Sequence, residues 1–230
     1  MRWAQLIGPG GTYRFTTEDL EWAVKAAEHE PGDSPCRRFE QVAVLWSMAN
    51  RWASGKTGYS TFGALLRGYC QPINATQIGA RHAYDATPDN PGGRVDPEDR
   101  DARIRANIAR PLSWYAENRP DTVALVVDWM EGRIPLPASL VGVVDFAAKF
   151  VGCGGDKIAT RVPELAPCPN AEAFCKRSWS TAWGRGTVRM VSRLGSGVVG
   201  PWVALAASTV GVLGFLWWRE GRPPSRRRWR

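Results

Sequence analysis

From Gly195 to Trp218 the chain reads GSGVVGPWVALAASTVGVLGFLWW, without one charged residue. Such a run exceeds the roughly 20 residues that a helix needs to cross a bilayer core, so a single transmembrane helix near the C-terminus is expected. Trp202 at one end and Trp217 with Trp218 at the other suit the two headgroup layers, and Pro201 falls in the first turn, where a missing N–H costs little. Arg219, Arg222, Arg226, Arg227, Arg228 and Arg230 follow the run and suit anionic headgroups, against Arg185, Arg189 and Arg193 before it. That excess favours an inside tail. The N-terminal MRWAQLIGPGGTYRF is broken by Gly8, Gly10 and Gly11 before an export signal can form. A periplasm-facing domain therefore needs another route, such as delivery by a virion.

The 230 residues carry a formal charge of +8, almost all of it arginine, since the only lysines are Lys25, Lys56, Lys149, Lys157 and Lys176. This length holds one ordinary core plus an appendage. The cysteines Cys36, Cys70, Cys153, Cys168 and Cys175 have no CxxC spacing, and only His29 and His82 could assist them, so neither a metal site nor a cofactor is expected. Cys153, Cys168 and Cys175 lie in a Gly- and Pro-rich stretch where a disulfide could fix a loop; buried unpaired thiols are the alternative, and the odd count leaves at least one thiol free.

The rest reads as mainly helical. Thr16-Thr17-Glu18-Asp19 is a helix start, with a hydroxyl cap and two carboxylates at the positive end of the helix dipole, and Leu20, Ala23, Val24 and Ala27 make the apolar stripe. A break at 31–35 leads to a core helix from about Arg37 to Ser54, marked by Phe39, Val42, Leu45, Trp46 and Ala49. Further helices are expected over Thr61–Cys70, Asp99–Asn118 and Asp121–Glu131, with a surface loop over Ala86–Asp99. Beyond Gly132 periodicity fades, apart from a short strand or helix within Leu140–Phe150. Asn170 to Leu194 reads as an amphipathic stretch against a membrane. The expected organisation is a globular domain over 1–160, a linker over 161–194, the span over 195–218 and a basic tail over 219–230.

Two helices flank an acidic turn in AVKAAEHEPGDSPCRRFEQVAVLWSMANRW. A carboxyl at a helix end beside an apolar stripe is partly desolvated, which favours its protonated form and suits it to donate a proton near neutral pH. The region resembles bacterial and phage cell-wall hydrolases of the spore-cortex lytic type, whose members read as a helix ending in GEA-x-GE, then P-x-x-GQ-x-AVA and an NR pair. The matching elements are Glu28, Glu30-Pro31, Glu40-Gln41-Val42-Ala43-Val44 and Asn50-Arg51. A later stretch, ALVVDWMEGRIPLPASLVGVVDFAAKF, is similar to the family's G-x-x-P-x-P segment through Gly132, Pro135, Pro137, Asp145 and Phe146. Departures are His29 after the first glutamate, Ala27 before it, and the shifted aromatic Phe146; they bear on activity more than on fold.

The resemblance spans about Trp22 to Phe150 and implies a lysozyme-like helical domain acting on peptidoglycan, with Glu28 as the general acid. It also implies that Glu30, Glu40, Asn50, Arg51 and Tyr69 support the acid or bind glycan. The expected protein is a membrane-anchored lytic transglycosylase or muramidase, carried on a virion to open the cell wall. An inactive relative that docks on cell wall, or on virion or envelope proteins, is the alternative. A third reading gives the tail RPPSRRRWR a nucleic-acid contact.

Overall fold

Each of the first three helices begins just after a polar break in the sequence. The computed structural model describes residues 3–31, 35–80, 97–147, 153–168 and 171–192, all within one compact unit, Met1–Ser192. Helix α1 (Thr17–His29) is capped by Thr16, whose Oγ1 accepts the Asp19 N–H at 3.2 Å while Asp19 accepts the Thr16 N–H at 2.7 Å. This reciprocal pair satisfies two donors that every helix start leaves over. The same side chain accepts the Tyr13 hydroxyl at 2.8 Å and the Gly63 N–H at 2.7 Å, so a buried acidic residue ties α1 to its neighbours. Helix α2 (Arg37–Ala53) is buried along most of its length, and α3 (Phe62–Tyr69) is capped by Thr61.

Helices α4 (Pro97–Ala109), α5 (Leu112–Asn118) and α6 (Pro120–Met130) follow. The single helix expected over Asp99–Asn118 is split because Pro111, which has no N–H to continue the ladder, takes an extended conformation at the start of α5. Helices α1, α2, α3 and α6 enclose the core, in which the rings of Phe15, Phe62 and Trp46 lie 5.4–5.7 Å from Trp129. Rings at such spacings and tilts contribute beyond the area they bury.

Two three-stranded antiparallel sheets complete the unit. One pairs β1 (Gln5–Gly8) with β2 (Gly11–Arg14) and β6 (Arg189–Val191), in the order β2-β1-β6. The other is built from β3 (Val143–Ala147), β4 (Lys157–Thr160) and β5 (Ala173–Arg177), in the order β3-β5-β4. Strand β3 lies against α2. Gly142 turns the chain into β3 at a φ of +75°, and a Cβ there would collide with the Ser180 carbonyl, so glycine is required twice over.

These sheets correct the expectation of a mainly α, lysozyme-like domain. Their strands are three to five residues long in Gly- and Pro-rich sequence, too short for a period-2 pattern to stand out. Residues 161–192, expected as a linker and a membrane-surface stretch, supply the central strand β5 and the edge strand β6. The single-pass membrane placement is corrected as well. Among the described residues no helix is long and apolar enough to cross a membrane. The longest, α2, has 17 residues and carries Arg37, Arg38, Glu40 and Arg51. The Gly195–Trp218 run and the arginine tail lie outside the described residues, as do most of the loop expected over Ala86–Asp99 and His82.

Disulfides join Cys36 to Cys168 and Cys153 to Cys175, leaving Cys70 as a buried free thiol. The first closes a sequence separation of 132 residues and binds the start of α2 to the segment that leads into β5.

Candidate active site

Helix α1 ends in Glu28-His29 with Glu30 at its C-cap, still in helical backbone, and consecutive positions on a helix point about 100° apart. The two glutamates consequently enter different surroundings. Glu28 borders a cleft of about 830 Å³ between the end of α1, the start of α2 and the α5–α6 junction. Its Oε1 lies 2.7 Å from Arg119 Nε and 3.1 Å from Arg37 Nη2, and its Oε2 accepts the Thr122 hydroxyl at 2.7 Å. Gln41 Nε2 in turn donates to that hydroxyl at 3.1 Å, and Arg37 also donates to the Glu28 carbonyl at 2.6 Å. Both carboxylate oxygens are therefore taken up by partners from other segments, two guanidinium groups on one and a hydroxyl on the other. Glu28 holds α1, α2 and α6 together.

His29, between them, meets the Tyr115 hydroxyl at 2.8 Å through Nε2. Burial pushes its pKa down to about 4, so the ring is neutral at ordinary pH, and burial likewise raises Tyr115 to about 12.

Glu30 lines a second cleft, of about 340 Å³, shared with Arg51, Tyr69, Asp145 and Glu172. Its Oε1 is out of solvent and has no hydrogen-bond partner among the described residues. The Cys70 thiol and the Gln71 N–H lie beside the carboxyl and moderate its rise, and among the described residues no cation pairs with it. Burial, followed by the neighbouring Glu172, pushes the pKa of Glu30 up to about 8. Burial beside Glu30 pushes the Cys70 thiol up too, so it stays protonated. Glu172, just before β5, is raised to about 7 by burial and by the charge of Glu40.

The opposite wall is cationic. Asp145 Oδ2 is 3.1 Å from Arg51 Nη1, 2.9 Å from Arg177 Nη2 and 3.5 Å from Lys157 Nζ. Arg51 also stacks on the Tyr69 ring at 3.8 Å and hydrogen-bonds its hydroxyl.

The residues expected at the site therefore divide. Glu30, Arg51 and Tyr69 share the smaller cleft, while Glu28 faces the larger one. Asn50 is fully buried and donates to the Leu140 and Val143 carbonyls at 3.0 and 2.8 Å, which sets the path of the chain into β3. Glu40 is also buried, and its Oε1 accepts the Glu172 N–H at 2.9 Å. Glu172, Lys157 and Arg177 were not anticipated as site residues; they come from strand segments without periodicity. Only the order of opposite charges along β3 to β5 hints at them. No family model, curated protein or solved structure matches the chain.

Proposed function

We propose that the chain degrades peptidoglycan glycan strands, with Glu30 as the general acid and Glu28 as a structural anchor. One observation carries the reading: Glu30 has a buried, unpartnered carboxyl oxygen facing a cleft whose other wall is polar and cationic. Cleavage of a glycosidic bond requires a carboxyl that is still protonated near neutral pH, and desolvation without a cationic partner provides it. Arg51, Lys157 and Tyr69 fit the remaining needs. The cations suit an acidic sugar substituent such as a lactyl carboxylate, and the phenol ring offers a face for a pyranose.

The choice between the two glutamates follows from their partners. Both oxygens of Glu28 are occupied by Arg119, Arg37 and Thr122, whereas Glu30 Oε1 has no partner among the described residues and is left to meet a substrate. Release of soluble muropeptides from purified sacculi tests the assignment. Glu30→Gln should abolish release while Glu28→Gln retains it, and equal release from wild type and Glu30→Gln would end the proposal.

A further inference from the structure

Glycosidic cleavage by a single acid leaves the attacking group to the substrate, whereas hydrolysis by water requires a second carboxylate in the same cleft. The cleft that holds Glu30 contains such a group. Glu172 lines it from the segment before β5, and its charge acts on Glu30. Its backbone is held on both sides of the side chain. The Glu172 N–H donates to Glu40 Oε1 at 2.9 Å, Ala173 begins the central strand of its sheet, and Cys168 is bonded to Cys36 at the start of α2. Asp145 cannot take the role, because three cations already hold its carboxylate.

Resting on the reading of Glu30 as the acid, we infer that Glu172 is the second catalytic carboxyl and that the enzyme hydrolyses the glycan with water rather than closing an anhydro ring. Glu30 gives its proton to the glycosidic oxygen as the C1–O bond breaks, and the bonding pair leaves with that oxygen. Water forms the new bond to C1, and its proton passes to the Glu172 carboxylate. The pair ends with its one proton on Glu172 instead of Glu30, and exchange with solvent restores the starting arrangement. A lone proton suits two adjacent carboxyls that repel each other when both are ionised.

The test is the chemistry of the new ends, read by mass spectrometry of muropeptides that the intact, disulfide-bonded protein releases from purified sacculi. Hydrolysis predicts borohydride-reducible muramic ends, and Glu172→Gln should lower their release at least a hundredfold with an unfolding midpoint close to wild type. Wild-type products that end in anhydro rings would overturn the role of Glu172 and leave Glu30 as the acid. So would a Glu172→Gln variant that makes reducible ends at the wild-type rate. If the wild-type protein releases nothing, the glycosidase reading falls together with this one. Should Glu172→Gln fold poorly, the product ends of the wild type still decide.

Discussion

Glu28 and Glu30 stand two residues apart at the end of one helix, yet one has donors on both carboxyl oxygens and the other is buried with one oxygen unpartnered among the described residues and a second carboxyl nearby. Arg37, Arg119 and Thr122 hold the first, while burial and Glu172 act on the second. The contrast shows that position at the end of a helix does not set the chemistry of a carboxyl. What sets it is which distant segments fold against each face.

The comparison can be broken most sharply through activity. Glu30→Gln should lower glycan release by about a thousandfold, the usual order for loss of a general acid, whereas Glu28→Gln should change it less than tenfold. A reversed ranking in sacculus digestion would exchange the two roles. Stability should separate the regions next. Replacing Cys36 and Cys168 with serine is expected to cost about 3 kcal/mol in denaturant titration, below the ceiling of roughly 5 kcal/mol that chain entropy sets for so long a loop. A loss of less than about 1 kcal/mol would mean that α2 and the segment before β5 stay together without the bond.

Glu28→Ala should cost about 2 kcal/mol, because it removes the carboxylate that Arg37, Arg119 and Thr122 share; Arg119 is half exposed and can turn to water, which keeps the figure below that of a fully buried pair. Glu30→Ala should cost less, having no ion pair to lose. Equal costs in thermal unfolding would contradict the anchor role of Glu28.

The smallest effect is the change in stability between pH 7 and 8. The folded pKa of Glu30, about 8, exceeds that of an unfolded glutamate, so the folded state keeps its proton longer and stability falls as pH rises from about 4.5 to 8. Glu172 adds a fall of the same sign up to about 7. His29 acts oppositely: its depressed value makes stability rise between about 4 and 6.5. The interval from 7 to 8 thus isolates Glu30, and the decline there in the melting temperature should flatten in Glu30→Gln.

Much of the helical frame was legible. Thr16 with Asp19, and the stripes in α1 and α2, are local signals of capping and period that need no tertiary information. Strand β3 was legible in part, as a short strand or helix within Leu140–Phe150, but β4 and β5 were not, since four or five residues give no period and their stability comes from pairing and disulfides across long separations. The same limit applies at the site. Both glutamates were visible, but Arg119 and Thr122 lie about ninety positions beyond Glu28, and Glu172 lies still farther beyond Glu30. Which carboxyl is paired and which is desolvated is therefore a property of the fold.

The central claim is that Glu30 holds a proton at neutral pH. Carbon-13 NMR of the glutamate side-chain carboxyls, recorded on the intact protein across pH 4 to 10 with Glu30→Gln to assign the resonance, tests it directly. A titration with its midpoint near 8 is predicted; a midpoint near the ordinary glutamate value of about 4.3 would contradict the account.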